Sequence, residues 1–253
     1  MTGKLAGKTA IVGGGTDNIG KLFGQALAED GANVMLHYHS ARRAQEAENA
    51  VKDLEALGVK AASFQGDLTD TANIPRLVDA TIEQFGSWDI LVNTTGLIVR
   101  KALADTTEDE YDRSFAINAK VPYFLMKEAA TKMADNGRVI NMVTTQVAVT
   151  AATYSAYAGS KAPVEHFTKA FAKEVGPRGV TVNCIAPGPQ KTRFFYDAET
   201  PETVAWLSSM TISGDVGDPV DIVPVMRFLV SPETRWVTAQ TVYCNGGMIS
   251  PIN

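Results

Sequence analysis

Short apolar runs alternate with longer amphipathic segments along the whole chain. The runs have the length and the Val, Ile and Thr content of buried strands, whereas the amphipathic segments repeat apolar residues at helical spacing. Strands are predicted at 9–14, 33–38, 61–67, 89–95, 138–144, 180–187 and 240–245. Helices are predicted at 18–30, 42–57, 73–85, 108–134, 155–175 and about 219–230. Six strand–helix steps and a final strand predict an α/β fold, a doubly wound, seven-stranded parallel sheet with helices on both faces.

Composition narrows the class of protein. The chain has 253 residues, 45% hydrophobic and 20% charged, and no linker or repeat interrupts it, so we predict one domain over 1–253. A net charge of −5 without a Lys/Arg cluster argues against a nucleic-acid partner. No apolar run could span a bilayer, and the first residues lack the apolar core of a signal peptide, so we expect a cytoplasmic protein without a membrane partner. Cys184 and Cys244 fall in strand-like runs, where we expect buried free thiols, and no metal site is predicted.

A glycine-rich turn, GGGTDNIG, joins the first strand to the first helix and spans Gly13 to Gly20. Sheets of this kind bind ligands beyond the carboxyl ends of their strands. Backbone N–H groups at a helix N-terminus attract a pyrophosphate, and glycine lets the backbone approach it closely. The turn therefore predicts a nucleotide site, with an ordinary tight turn as the alternative.

The segment TYSAYAGSK contains two tyrosines at helical spacing from one lysine. Tyr157 lies four positions before Lys161 and Tyr154 seven before it, so a helix brings both phenols near the ammonium group. A phenol has a pKa of about 10, which a neighbouring ammonium lowers. Reduction of a carbonyl by hydride transfer requires such a proton donor. Aromatic packing on a helix face is the alternative.

These motifs together resemble the short-chain dehydrogenase/reductase family. The turn is similar to the family's T-G-x-x-x-G-I-G pattern, and Tyr157 to Lys161 match its Y-x-x-x-K. APGPQKT (186–192) resembles its P-G-x-x-x-T segment, NTTG (93–96) stands where the family has N-N-A-G, and VTAQTVYCNGG (237–247) resembles its last strand. The resemblance covers nearly the whole chain and implies a single-domain Rossmann fold with the activity of an NAD(P)-dependent oxidoreductase.

The glycine turn departs from the family pattern at two positions. Gly13 replaces a threonine whose hydroxyl usually ties the turn together, and Asn18 replaces the middle glycine. Asparagine is the non-glycine residue that best tolerates a positive φ. We therefore expect the turn to form with altered phosphate contacts.

The end of the second strand, LHYHSARR, favours NADPH over NADH. Family members that prefer NAD commonly place an aspartate where this chain has Tyr38, and no acid appears before Glu46. Arg42 or Arg43 would form charge-assisted bonds to a 2′-phosphate, and we assign the role to Arg42; solvation of the next helix is the alternative. The resemblance implies that the cofactor-binding residues are Gly14, Asp17, Asn18, Ile19, Gly20, Tyr38, Ser40, Arg42, Asp67, Leu68, Asn93, Gly96, Tyr157, Lys161, Pro187, Gly188 and Thr192.

The resemblance also implies four catalytic residues, Asn118, Thr144, Tyr157 and Lys161. Tyr157 would donate the proton, while Lys161 would lower its pKa and hold the nicotinamide ribose. Thr144, where the family usually has serine, would donate to the substrate oxygen, and its methyl group predicts a tighter pocket. Asn118 would anchor a water that resupplies the proton through Lys161.

Two other functions compete with reduction of a carbonyl to a secondary alcohol, or its reverse. The spacing of Tyr154 and Lys161 resembles the enoyl reductases, which reduce a carbon–carbon double bond in the same fold. A cofactor-binding regulator that has lost the chemistry is the second alternative, and the altered Gly13 and Asn18 would fit it. The complete set of catalytic side chains favours an enzyme.

A long segment, 189–218, precedes the last helix and is predicted to be a substrate-binding loop or lid. Its aromatic residues, Phe194, Phe195, Tyr196 and Trp206, suit an apolar or aromatic carbonyl or alcohol substrate. Packing against the domain's own core or a neighbouring subunit is the alternative. Apolar residues on more than one face of 108–134 and 155–175 predict a homotetramer or dimer, which the family commonly forms through these helices.

Overall fold

The computed structural model of the protein describes residues 3–149 and 151–249; residues 1, 2, 150 and 250–253 of the predicted domain lie outside the described part. Seven strands form one sheet in the order β3-β2-β1-β4-β5-β6-β7, and every neighbouring pair is parallel. They are β1 (Thr9–Gly13), β2 (Asn33–Tyr38), β3 (Ala61–Gln65), β4 (Ile90–Asn93), β5 (Arg138–Met142), β6 (Thr181–Pro187) and β7 (Thr241–Cys244). The strand order reverses between β1 and β4, so the predicted doubly wound Rossmann fold is confirmed.

Helices connect the strands and cover both faces of the sheet. They are α1 (Asn18–Glu29), α2 (Ala44–Glu55), α3 (Asn73–Phe85), α4 (Glu108–Phe115), α5 (Val121–Lys132), α6 (Ser155–Val175), α7 (Arg193–Tyr196), α8 (Pro201–Ser209) and α9 (Val223–Val230). Short 3₁₀ turns lie at Ala41–Arg43, Leu103–Asp105, Thr145–Val147, Gly176–Arg178, Pro219–Ile222 and Pro232–Thr234. Within the ranges 3–149 and 151–249, no helix is long and apolar enough to cross a membrane.

Several predicted elements are shorter than the apolar pattern suggests. The strands predicted to reach residues 14, 95 and 144 end at Gly13, Asn93 and Met142, where the chain turns into loops at the carboxyl edge of the sheet. The predicted helix 108–134 is divided by a π-helical turn, Ala116–Lys120. A π turn holds one more residue than an α turn and is frequent at functional sites. Periodicity alone gives no signal for it.

Each face of the sheet packs against its own apolar core because side chains alternate along a strand. On β1, Val12 points to the core that contains Phe23 of α1. Its neighbour Ile11 points to the opposite core, with Leu77 of α3 and Leu125 of α5. All five side chains are fully buried. Burial on both faces fixes the register of the sheet and therefore the positions of the loops that follow the strands.

Segment 189–218, predicted as a loop or lid, contains two helices. Thr192 caps the N-terminus of α7, while Thr200 caps α8, which begins with Pro201. An apolar cluster of Phe195, Leu207 and Val216, with Val204 and Met248 at its edge, is separate from the two cores of the sheet. The segment therefore has local structure and a small core of its own, and it is called the lid below.

Candidate active site

A cleft with a cavity volume of about 460 Å³ opens beyond the carboxyl ends of the strands. Most of the residues predicted for the site line it: Gly14, Asp17, Asn18, Ile19, Gly20, Tyr38, Ser40, Gly96, Thr144, Tyr157, Lys161, Pro187, Gly188 and Thr192. Five predicted residues are not among the lining residues: Arg42, Asp67, Leu68, Asn93 and Asn118. The fold thus brings the glycine turn and the tyrosine–lysine pair together in one cavity.

The glycine turn is held by groups that replace the missing threonine hydroxyl at position 13. Thr94 Oγ1 donates to the Gly13 carbonyl at 2.7 Å, and the Gly14 N–H donates to His37 Nδ1 at 3.2 Å. Gly14 has a φ of +70°, and a Cβ at Gly20 would lie only 2.1 Å from the Gly14 carbonyl oxygen. Glycine is therefore required at both positions for the close approach of turn and helix.

Asn18 and Asp17 complete the start of α1. Asn18 adopts a φ of +46°, the conformation that asparagine tolerates best among non-glycine residues. Asp17 caps the helix by accepting from the Asn18 N–H at 2.8 Å. The N-terminal end of α1 faces the cleft, where its dipole favours an anion.

The two arginines after β2 occupy different positions. Ser40 caps the 3₁₀ turn Ala41–Arg43, and this turn leaves Arg42 exposed and outside the cleft lining. Arg43 lines the cleft and donates to Asp17 Oδ2 at 2.6 Å, with Glu46 Oε2 at 3.0 Å. The hydrogen bond to Asp17 raises the pKa of Arg43 above its usual value. The cation assigned from the sequence, Arg42, is therefore not the one that reaches the cavity.

Asp67, Leu68 and Asn93 have local structural contacts instead of facing the cavity. Asp67 Oδ1 accepts from the Thr69 N–H at 2.9 Å and from the Thr69 hydroxyl at 2.7 Å, which closes the turn after β3. Leu68 is buried in one core of the sheet. Asn93 Oδ1 accepts from the Thr95 hydroxyl at 2.8 Å and shapes the chain after β4.

Tyr157 and Thr144 are two buried hydroxyl-bearing residues of the cleft lining. Both side chains are buried and line the cavity, Tyr157 from the first turns of α6 and Thr144 from the loop after β5. Burial raises the pKa of Tyr157 to about 12, although a hydrogen bond from Thr144 opposes that shift. The phenol is therefore protonated at neutral pH. The threonine that stands in the serine position keeps its hydroxyl beside the tyrosine.

Lys161 lies one helical turn beyond Tyr157 and is held by backbone carbonyl groups. Its Nζ donates to Met142 O at 2.9 Å and to Thr95 O at 3.1 Å. Burial lowers the pKa of Lys161 to about 8. Contrary to expectation, burial raises the pKa of Tyr157, and the group that opposes this rise is the Thr144 hydroxyl and not Lys161. The effect of desolvation exceeds that of the neighbouring charge.

Asn118 lies in the π-helical turn and is fully buried. Its Nδ2 donates to Leu97 O at 2.8 Å and to Ser160 Oγ at 3.0 Å, and its Oδ1 accepts from the Leu97 N–H at 3.0 Å. These bonds join the chain after β4 to α6, while the water-anchoring role expected for Asn118 stays a prediction. Asn118 therefore supports the segment that carries Tyr157 and Lys161 without lining the cavity.

Tyr154 forms a cluster with charged residues at the opposite wall. Its hydroxyl donates to Glu199 Oε1, and Arg100 Nη1 lies 3.3 Å from Glu199 Oε2. The Arg100 guanidinium carbon is 5.6 Å from the centroid of the Tyr154 ring. Burial, together with the hydrogen bond to Glu199, raises the pKa of Tyr154 above its usual value. The Tyr154 hydroxyl proton is therefore used in a hydrogen bond to a carboxylate and does not point into the cavity as a free donor.

Sequence reasoning did not assign several cleft residues. The main ones are His37, Arg43, Thr94, Gln146, Gln190, Glu199 and Met248. His37 has the signal of a polar residue in an apolar strand, and Thr94 occupies a motif position, so both were detectable in the sequence. Glu199 is remote from the motifs and reaches the cavity only through the fold of the lid. Among residues 3–149 and 151–249, no group of three His, Cys, Asp or Glu side chains is arranged to hold a metal.

Comparison with known proteins agrees with this geometry. The family model described as enoyl-(acyl carrier protein) reductase matches residues 14–249. An Arabidopsis thaliana protein named NADPH-dependent aldehyde reductase-like protein, chloroplastic, is 34% identical over 97% of this chain and 95% of its own length. Hydroxynaphthalene reductase-like protein Arp2 of Metarhizium brunneum is 34% identical over 97% of this chain and 96% of its own. A solved structure of a Burkholderia cenocepacia protein described as a dehydrogenase, with bound NADP, has a TM-score of 0.95 and 40% identity and covers 99% of this chain and 96% of that one.

A sheet in this order, with a glycine turn after β1 and a buried tyrosine–lysine pair on α6, defines a class of nicotinamide-dependent oxidoreductases. The chain belongs to the short-chain dehydrogenase/reductase family, as its motifs predict.

His37 makes the stability of the glycine turn depend on pH. Burial lowers its pKa from 6.5 to about 4, and only a neutral ring can accept from the Gly14 N–H. Below pH 6.5 the unfolded chain binds a proton that the folded protein does not bind until about pH 4. We expect the stabilisation present above pH 6.5 to be lost across that window, by about 3 kcal/mol.

Urea unfolding at several pH values measures this loss. His37→Asn retains an acceptor for the Gly14 N–H but does not titrate, so its free energy of unfolding should vary less between pH 4 and 6.5 than that of the wild type. His166→Ala, on an exposed position of α6, should keep the wild-type slope. Equal slopes for His37→Asn and the wild type would contradict the assignment.

Proposed function

We propose that the protein is an NADPH-dependent reductase that converts a ketone or other carbonyl to a secondary alcohol, or catalyses the reverse. The observation that carries this proposal is the joint placement of Thr144, Tyr157 and Lys161 in the cleft that begins at the glycine turn. A proton donor, a second hydroxyl and an ammonium group meet where such sheets bind a dinucleotide.

The residues at the glycine turn fit a dinucleotide. Gly14 and Gly20 line the cleft at the start of α1 without side chains, so the backbone there would admit a pyrophosphate. At the end of β2, the neutral Tyr38 and the cation Arg43 suit a 2′-phosphate, which an aspartate there would repel. The NADP bound by the Burkholderia cenocepacia protein and the name of the Arabidopsis thaliana relative support the same cofactor. When bound, NADPH supplies the hydride for the carbonyl carbon.

The protein's own residues manage the proton and the orientation of the substrate. Tyr157, with a pKa of about 12, holds a proton at neutral pH and delivers it to the carbonyl oxygen. The Thr144 hydroxyl lowers the pKa of that phenol and faces the same space, so we assign it to orienting the substrate oxygen. Lys161, fixed by Thr95 O and Met142 O, places its ammonium group one turn away, where it stabilises the phenolate left by proton transfer.

Reduction of a carbon–carbon double bond with Tyr154 as donor is the competing function, and the description of the matching family model mentions it. The contacts of Tyr154 favour Tyr157 instead. Tyr154 donates its proton to Glu199, and its pKa is raised by burial and by that hydrogen bond. We infer that Tyr154 forms part of the substrate wall.

The wall opposite the glycine turn suits an apolar or aromatic substrate. Ile98, Phe194, Phe195, Leu207 and Met248 line the cleft there. Apolar walls with few polar groups are typical of sites for small organic molecules. The name of the Metarhizium brunneum relative, which refers to a hydroxylated naphthalene, supports an aromatic substrate.

Assembly and location remain predictions from the sequence. Tyr111 and Tyr123, on α4 and α5, are about half exposed, which supports contacts between subunits in a homotetramer or dimer. A cytoplasmic location likewise remains an expectation.

The choice between the two tyrosines is testable by substitution. A panel of ketones, diketones, quinones and enones would be assayed by NADPH absorbance. Tyr157→Phe should lower kcat for carbonyl reduction by about 10²-fold or more, because the proton donor is lost. Tyr154→Phe should keep kcat within about threefold while raising KM.

The opposite pattern, with enones as the reduced substrates, would identify an enoyl reductase. Tight binding of NADPH with no oxidation across the panel would instead support the non-catalytic regulator.

The assignment of the 2′-phosphate to Arg43 is testable with both cofactors. Arg43→Ala should raise KM for NADPH by about tenfold and leave KM for NADH within about threefold, because a charge-assisted bond to the phosphate is lost. Arg42→Ala, on the neighbouring exposed side chain, is the matched control and should change neither value. A selective loss of NADPH affinity in Arg42→Ala would restore the assignment made from the sequence.

A further inference from the structure

The lid contains one carboxylate that is almost completely buried. The side chain of Glu199 is 1% exposed, although the neighbouring Asp197 and Thr200 are exposed. Its Oε1 accepts from the Tyr154 hydroxyl, and its Oε2 lies 3.3 Å from Arg100 Nη1. These partners replace only part of the lost hydration, because Glu199 Oε2 has the ion pair but no hydrogen bond.

The partners of Glu199 belong to the body of the domain. Arg100 comes from the loop after β4 and Tyr154 from the residue before α6. Arg100 Nη2 also donates to the Thr203 hydroxyl of α8 at 2.8 Å, so the guanidinium contacts the lid at two points. Tyr154, Glu199 and Arg100 are called the clasp below.

Other contacts of the lid lie within it or join it to the segment after β7. Its apolar cluster is separate from the cores of the sheet, and Lys191 pairs with Asp215 inside the lid at 2.6 Å. Near its carboxyl end, the Ile212 N–H donates to Gly246 O at 2.9 Å. The clasp therefore supplies a charged attachment for the half that carries α7 and α8.

We propose that Glu199 and Arg100 are positioning residues, and that the clasp holds α7 and α8 against the cleft and thereby sets the affinity for substrate. Three lid side chains that depend on this placement, Phe194, Phe195 and Leu207, line the cavity. The effect on substrate affinity rests on the proposed carbonyl reduction, whereas the attachment of the lid does not.

The energetics of the clasp suit a lid that opens and closes. A buried ion pair is nearly balanced against two solvated charges, because the attraction is offset by the loss of hydration. When the lid opens, Glu199 and Arg100 return to water together. The ion pair therefore contributes little to the free-energy difference between the closed and open states. Removing one partner leaves the other charge buried without compensation and shifts the lid towards the open state.

The kinetic test uses the full chain and the best ketone from the panel. Glu199→Ala and Arg100→Ala should each raise KM by about tenfold with kcat within about threefold, and the double variant should be no worse than either single one, because the two residues act as a unit. Glu199→Gln, which still accepts from Tyr154, should recover part of the loss. Asp197→Ala is the matched control, because it removes an exposed lid ion pair with Arg193 and should leave KM unchanged.

Hydrogen exchange of the protein without ligands provides a test that needs no substrate. Amides of Arg193–Tyr196 and Pro201–Ser209 should exchange faster in Glu199→Ala than in the wild type, while those of α6 should not. Faster exchange in a protein that reduces no carbonyl would support the clasp and refute the proposed function. The clasp alone would be overturned if Glu199→Ala changed neither amide exchange nor KM while Tyr157→Phe still abolished carbonyl reduction. If Glu199→Ala lowered both kcat and the melting temperature without changing KM, Glu199 would have a purely structural role, and the clasp proposal would also be overturned.

Discussion

The buried ammonium group of Lys161 is the constraint on which the site depends. A charge at this depth must be satisfied, and here two backbone carbonyls, Thr95 O and Met142 O, accept its protons. These carbonyls follow β4 and end β5, so one side chain fixes α6 against two central strands. Tyr157 lies one turn earlier and is oriented by the same contact. Asn118 reinforces this arrangement because it joins Leu97 to Ser160 of the same helix.

The cleft has polar groups at the glycine turn and apolar side chains where the lid lines it. At the glycine turn, backbone N–H groups and the α1 dipole favour an anion, and Arg43, which is paired with Asp17 and Glu46, lines the same cleft. Apolar lid residues line the same cavity as the buried Tyr157 and Thr144. Desolvation there raises the pKa of Tyr157 and lowers that of Lys161, so burial determines the protonation of both groups before any ligand is considered.

The sequence was sufficient for the fold because strand and helix periodicities alternate without interruption, and several motifs occur at matching positions. It also placed Thr144, Tyr157 and Lys161 in one cleft, since loops after parallel strands meet at one edge of the sheet. The sequence did not predict side-chain directions that depend on a single backbone turn. The 3₁₀ turn Ala41–Arg43 decides which arginine reaches the cavity, and charge and spacing do not differ between Arg42 and Arg43. It also gave no signal for Glu199, whose partners are distant in the chain.

The glycine turn and the NTTG segment both differ from the family pattern, at Gly13 and at Thr94, and these two positions are in contact. Thr94 supplies the hydroxyl that position 13 lacks, and a Cβ at Gly13 would lie 2.8 Å from Asn93 Oδ1, an oxygen already held by Thr95. A mutation restoring threonine at position 13 would therefore enter an occupied space and duplicate an existing bond. The two segments are therefore structurally coupled, and a chimera that exchanges either one alone with a relative carrying the family pattern would inherit an incompatible pair.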